Sequence, residues 1–223
     1  VKERPILFSG PMIRSIRRDA KTNTRRVIQY PRHTGAFVLM EMNDGTYWPF
    51  VSMDGESTDD GHGCETPMNC PYGQTGDRIW VKETHIRRGD RAIYRADHDP
   101  VEAAGLGGMY GGWTPSIFMF RKHSRITLEI TNVRVQRLQE ISDEDARAEG
   151  IEPNWCGDLS GWNEQEHGWF DYLAGEDDPP CYSPRESFRS LWNSINFKRG
   201  FGWDTNPWVW ALSFKQVTEV ANG

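Results

Sequence analysis

The sequence lacks the long apolar runs, basic leader and cysteine density that mark a membrane, secreted or disulfide-built protein. No stretch of its 223 residues approaches the roughly 20 apolar residues of a membrane helix, so no membrane partner is expected. A basic segment followed by an apolar one does not appear, so no secretory signal is expected. The four cysteines are Cys64, Cys70, Cys156 and Cys181. They are too few for a disulfide scaffold and read as reduced thiols of a cytoplasmic protein. The net charge of −6 excludes a whole-chain basic footprint for duplex binding, though local basic patches stay open. No repeat or low-complexity linker is found.

What the chain does have is aromatic mass. Aromatic residues make up 12% and there are 10 tryptophans, which is the composition of a folded chain rather than a disordered one. The pattern predicts a short strand at Pro5–Phe8 and a helix opened by Ser9-Gly10-Pro11, with Met12, Ile13 and Ile16 as its apolar stripe. A hairpin is predicted at 37–42 and 46–52 around Asn43-Asp44-Gly45, followed by a polar loop at 53–70. A turn at 73–77 leads into a strand over 78–86, on which Ile79, Val81, Glu83 and His85 share one face. Another short strand follows at 92–96, and glycine-rich 105–112 reads as a flexible loop.

Residues 125–138 read as a strand pair whose apolar parity switches near Thr131-Asn132, as a bulge or bend would make it. Ser142-Asp143-Glu144-Asp145 opens a short helix closed by Gly150. Residues 152–182 form a Trp- and acid-rich insertion. Ser183-Pro184-Arg185-Glu186 opens a third helix, with Phe188, Leu191, Trp192 and Ile195 on one face. A closing strand is predicted at 207–217. The expectation is a single α+β domain over 1–223: a small mixed or antiparallel barrel, about three helices and long insertions.

The chemistry concentrates at Lys21-Thr22-Asn23-Thr24-Arg25-Arg26. A threonine hydroxyl needs a base beside it to act as a nucleophile. Lysine serves as that base only if burial or neighbouring positive charge lowers its pKa, and Arg25 and Arg26 supply charge. The plain alternative is a solvated basic helix end. Glu149 is placed in the last turn of its helix, where a carboxylate opposes the helix dipole. That position suggests either a functional reason or an exposed glutamate of no consequence.

Lys21-Thr22-x-Thr24-x-Arg26 after a short helix resembles the signature of the ASCH domain, a relative of the PUA fold. Gly76-Asp77-x-x-Trp80-Val81, Arg125–Ile130, Ala146-x-x-Glu149-Gly150 and Trp208-Val209-Trp210 resemble further segments of that family in order. The larger form, with Cys70-Pro71-Tyr72-Gly73 and Asn206–Trp210, is similar to ASCH proteins of bacteriophages and prophages. The resemblance spans almost the whole chain, with insertions at about residues 31–70, 85–120 and 151–182. It implies a PUA-like barrel. It also implies, from the small bacterial members that hydrolyse N4-acetylcytidine, that Thr24 attacks an acyl carbonyl, Lys21 activates it and Glu149 orients Lys21 or handles protons. Arg26 or backbone N–H groups would hold the oxyanion. The glycine usual two residues before the lysine is Asp19 here, so the turn or the pocket rim differs.

Further candidates are Glu83, which needs a partner such as Arg26 or Lys21 if buried and otherwise touches substrate. Trp113, Trp208 and Trp210 are possible base platforms, with core packing the expected role of Trp210. Ser9 and Asn206 either read base edges or serve as a cap and a turn residue. His62, Cys64 and Cys70 have irregular spacing and no clear fourth ligand, so neither metal nor cofactor is expected. Two functions compete. One is a hydrolase of an N-acylated cytosine nucleoside or related base. The other is a nucleic-acid-binding module or ribonuclease of PUA-like type. The acidic total charge favours a nucleoside or short single strand over a duplex.

Overall fold

A computed structural model describes residues 1–29, 37–43, 46–52, 65–153, 168–173 and 181–217. In chain order the elements are β1 (Glu3–Leu7), α1 (Gly10–Arg17), β2 (Asn23–Val27), β3 (Phe37–Glu41), β4 (Tyr47–Ser52), β5 (Glu65–Pro67) and β6 (Arg78–Lys82). Then come β7 (His85–Arg88), β8 (Arg91–Tyr94), α2 (Pro100–Met109), β9 (Thr127–Arg137), α3 (Asp143–Ala148), α4 (Pro184–Asn196) and β10 (Trp208–Gln216). The class is α+β, mostly antiparallel, with no closed barrel among the described residues.

The backbone divides into two compact units. The first comprises Val1–Thr22, Pro71–Asn132 and Ser213–Gly223, the second Asn23–Cys70 and Val133–Leu212. In the first, β1 runs parallel to β6, and β6 runs antiparallel to the start of β9. Its apolar interior includes Ile6, Ile13, Ile16, Ile79, Val81, Leu128 and Ile130, each at most 2% exposed. The β7–β8 hairpin also belongs to it. In the second, the end of β9, the start of β10 and β2 follow one another, and β3, β4 and β5 form an antiparallel sheet. Its core gathers Leu138, Ile141, Ala146, Ile151, Phe188, Trp192, Trp203 and Val209.

The helix starts form where their capping chemistry lies. Ser183 Oγ accepts from Glu186 N at 3.2 Å, with Pro184 in the first turn of α4. Ser142 Oγ accepts from Asp145 N at 3.1 Å to open α3, and Gly150 follows it with φ 79°. Phe188 and Trp192 are buried as their spacing predicts, while Ile195 is 44% exposed and does not join the stripe.

Five expectations are corrected. Residues 100–109 form helix α2, so the glycine-rich stretch is not simply a loop. Asp99 Oδ1 caps α2 by accepting from Val101 N and Glu102 N, and Pro100 starts it. Trp113 settles the helix by donating its Nε1–H to Ala103 O at 2.8 Å. A Cβ on Gly107 would meet that indole at 3.0 Å, which is why glycine fits there. The described helices therefore number four rather than three. The strand expected over 78–86 breaks at Glu83-Thr84 into β6 and β7. Residues 127–137 form one uninterrupted strand, β9, and the parity change falls at exposed Thr131 and Asn132 without a turn. The expected loop 53–70 carries strand β5 at its end. The centre of the 43–45 turn, and much of 53–64 and 152–182, lie outside the described residues.

At the exit of α1, Asp19 adopts φ 55°, the left-handed conformation in which glycine is the usual residue. The turn is closed by Asp19 N to Ile16 O at 2.9 Å and Ala20 N to Ser15 O at 3.0 Å. A non-glycine residue there costs roughly 1 kcal/mol, less for aspartate than for most. Asp19→Gly is expected to raise stability by about 0.5 kcal/mol, read as a higher denaturation midpoint with unchanged m-value.

Candidate functional site

In the first unit the left-handed turn delivers Lys21. Its backbone N–H donates to Ser15 O at 3.2 Å, and the residue is 2% exposed. Its Nζ sits 5.7 Å from the Phe8 ring centroid, an ammonium over an aromatic face. Lys21 lines a cleft of about 410 Å³ with Asp19, Leu128, Phe214 and Gln216.

The same unit holds Ser9 and Glu83 on a second cleft, of about 750 Å³, lined also by Arg14, Asp97 and His98. The structure thus brings Ser9 and Glu83 together, and Lys21 lines a different cleft. Ser9 is the N-cap residue of α1, and its hydroxyl makes no capping bond. Glu83 is 1% exposed and sits where β6 ends. Its partner is Arg125, not Arg26 or Lys21. Arg125 Nε and Nη2 donate to the two Glu83 oxygens, each at 2.9 Å, across 42 residues of sequence. The other edge of the guanidinium donates to Asp97 Oδ2 at 2.5 Å and Oδ1 at 2.9 Å, and its face lies 3.8 Å from the Tyr94 ring centroid. Arg17 Nη1 completes the cluster on Asp97 Oδ1 at 2.6 Å.

Burial raises the Glu83 carboxyl above the usual carboxylate range, and Arg125 pulls it back only in part. Burial works the same way on Asp97, but there Arg125 and Arg17 prevail and hold the group below its ordinary value. One arginine therefore serves two carboxyl groups shifted in opposite directions, with the raised one walled from solvent. Arg125 was not legible as part of the site, because nothing in the local pattern links it to a residue 42 positions earlier.

The second unit holds Thr24, Arg26 and Glu149. Side chains alternate along β2, so Asn23 and Arg25 share one face and Thr24 and Arg26 the other. Thr24 is 3% exposed and Glu149 is 4% exposed. Glu149 is the C-cap residue of α3, where its charge opposes the helix dipole. Arg25 offsets this by donating Nη1–H to Glu149 Oε1 at 3.1 Å and Nη2–H to Asp145 Oδ2 at 2.5 Å. Asn23 and Arg134 also donate to Asp145, at 3.0 and 2.9 Å. Burial opposes ionisation of Asp145, yet Arg25 and Arg134 hold its carboxyl below the ordinary range. Sequence reasoning gave Arg25 only a role as charge near Lys21; its ion pairs with Glu149 and Asp145 join segments too distant in sequence to be read there.

Asn206 and Trp208 have structural partners. Asn206 is left-handed at φ 42°, and its Oδ1 accepts from Gln139 N at 2.9 Å. Trp208 is half-buried, with the Arg137 guanidinium 4.5 Å from its ring centroid and the Tyr47 ring 5.8 Å away. Trp210 is 1% exposed and packs edge-on against Trp48. Cys70 and Cys181 are free thiols, and no group of three metal-binding side chains occurs among the described residues. His62 and Cys64 lie outside the described residues. No described helix is long and apolar enough to cross a membrane.

Two measurements follow from these clusters. Arg125→Met strands a buried carboxyl and is expected to cost about 3 kcal/mol in chemical denaturation. The double variant Glu83→Gln/Arg125→Met should recover a large part of that loss. For Asp145 the folded pKa is the lower one, so its stabilisation is full above the unfolded value and is lost as pH falls through the folded one. Asp145→Asn should therefore lower stability at neutral pH and flatten the acid limb of the stability profile below about pH 4. Compared with protein-family models, with curated proteins and with solved structures, the chain finds no match.

Proposed function

We propose that this protein is a PUA-like, nucleobase-recognising hydrolase of ASCH type that removes an acyl group from N4-acylated cytidine or a related modified base. The observation that carries the reading is Lys21, 2% exposed yet lining a cleft. A threonine nucleophile needs a base beside it, and a buried lysine at a cleft is a candidate for that base. The resemblance of Lys21-Thr22-x-Thr24-x-Arg26 and Ala146-x-x-Glu149 to the family's segments supplies the roles.

In this reading the Thr24 hydroxyl attacks the amide carbonyl and its proton passes to the Lys21 amine. The carbonyl oxygen takes negative charge, which Arg26 or backbone N–H groups stabilise. The C–N bond then breaks, and Lys21 returns the proton to the departing N4 amine. Water hydrolyses the acyl-threonine ester, releasing the carboxylic acid and restoring the hydroxyl. Glu149 acts on protonation or orientation of the base. Its bond to Arg25 supports the reading, because a fixed carboxylate keeps a defined position. Ser9 and Glu83 line a different cleft from Lys21, and both Glu83 oxygens are held by Arg125, so this reading gives neither a contact to the acyl group.

The test is mass-spectrometric turnover of a panel of N4-acylated cytidines and deoxycytidines. Wild type should release free cytidine and the acid. Lys21→Ala and Thr24→Ala should each reduce turnover at least about a hundredfold, and Glu149→Gln should reduce it by a smaller factor. Wild-type protein that leaves every member intact sinks the hydrolase reading.

A further inference from the structure

We infer that a separate cleft of the first unit docks a short acidic segment of a partner protein, one that carries a large apolar side chain among its carboxylates. The cleft, of about 660 Å³, is lined by Trp80, Lys82, Arg87, Phe118, Phe120 and Arg121 among others, and no carboxylate lines it. Trp80 and Lys82 stand on the face of β6 that turns away from buried Ile79 and Val81. The phenylalanines come from a segment with two single 3₁₀ turns, Ser116–Phe118 and Arg121–His123. Met119 and His123, both buried, pin that segment inward. Met119 Sδ accepts from Glu83 N at 3.4 Å, and His123 O accepts from the Tyr94 hydroxyl at 3.0 Å. Between the pins Phe120 is 57% exposed, and just ahead of them Ile117 is 60% and Phe118 63% exposed. An anchored backbone presents these side chains to water, and an apolar cluster presented in this way marks an interaction surface.

The charges decide which partner fits. Lys82 Nζ lies 5.5 Å from the Trp80 ring centroid and donates to Ile117 O. The Arg87 guanidinium lies 5.9 Å from the Phe120 ring centroid. Neither cation forms an ion pair among the described residues, whereas Arg121 donates to Glu3 Oε2 at 2.9 Å. On a chain of net charge −6, an aromatic cleft with two cations that face no acid is a local reversal of sign. An acidic segment with a Leu or Phe side chain answers both features. The apolar side chain enters the cleft, and the flanking carboxylates meet Lys82 and Arg87, whose heads already rest near aromatic rings. A second copy of this chain is the poorer fit, because a two-fold contact through this patch sets cation against cation. An anionic membrane is poorer too, since two unpaired cations fall short of the roughly four to eight basic residues that hold a chain on lipid. The proposal does not rest on the hydrolase reading.

Fluorescence anisotropy with three labelled peptides of equal length tests it. The first places Asp and Glu around a central Leu-Phe, the second has Lys for every acid, and the third has Gly-Ser for Leu-Phe. Wild type should bind the first at least about fivefold more tightly than either control, and more weakly as salt rises. Phe118→Ala and Phe120→Ala should each lower that affinity at least about threefold. Both rings are exposed, so the fold should survive, and an unchanged melting midpoint checks this. Arg87→Glu should weaken binding of the acidic peptide and strengthen binding of the lysine peptide, a reversal that loss of fold does not produce. Lys21→Ala should leave peptide affinity unchanged, so a failure here and a failure of acyl hydrolysis are read separately. Equal binding of the three peptides, no binding of the acidic one at about 1 mM, or undiminished binding by the phenylalanine variants each overturns the proposal. So does capture by phosphatidylglycerol vesicles or by oligo-dT without binding of the acidic peptide.

Discussion

A carboxyl group stripped of water must find donors, and Glu83 finds them in Arg125. That one bidentate contact joins the end of β6 to the residues just before β9 and, through Asp97 and Arg17, to α1. The Tyr94 ring covers the guanidinium face, so the cation is enclosed on its edges and on one side. Glu83 and Asp97, the two acids that Arg125 holds, also line the cleft that carries Ser9. The second unit solves the same problem with Arg25, which supports Glu149 and Asp145 together. In each unit one arginine holds two acids, the geometry for which the planar five-donor fork is suited and a lysine is not.

Much of the fold was legible where the signal is local. The cap, proline and third-residue glutamate at Ser183-Pro184-Glu186 mark the start of α4, and the structure starts it there. The alternation in β10 is visible too, although Val209 and Ala211 are buried as well as Trp210 and Leu212. A strand buried on both faces carries less information in its periodicity. Local signal failed at α2 because three glycines lower helix propensity, while the Asp99-Pro100 start and the indole of Trp113 act in the opposite direction. It failed again at Glu83, where chain direction changes for tertiary reasons.

The candidate residues stood out by type, while their partners did not. Lys21, Thr24 and Glu149 are all nearly buried, which composition alone does not reveal. The left-handed turn before Lys21 forms without glycine because aspartate tolerates that conformation. Long-range pairs such as Arg25–Glu149 and Glu83–Arg125 depend on how distant segments meet, and no window along the chain contains both partners.

Helix α2 carries a further consequence. Of its three glycines only Gly107 is pressed by a neighbour, while Gly105 and Gly108 face open space. Two residues thus keep backbone freedom that no packing demands, so the helix is held mainly by its first-turn cap, the buried Ala103 and one indole. Segments held by so few contacts open by themselves, without waiting for the whole protein to unfold. The amide protons of α2 should accordingly exchange with solvent on the schedule of a local event, while those of β6 and β9 keep the schedule of the core.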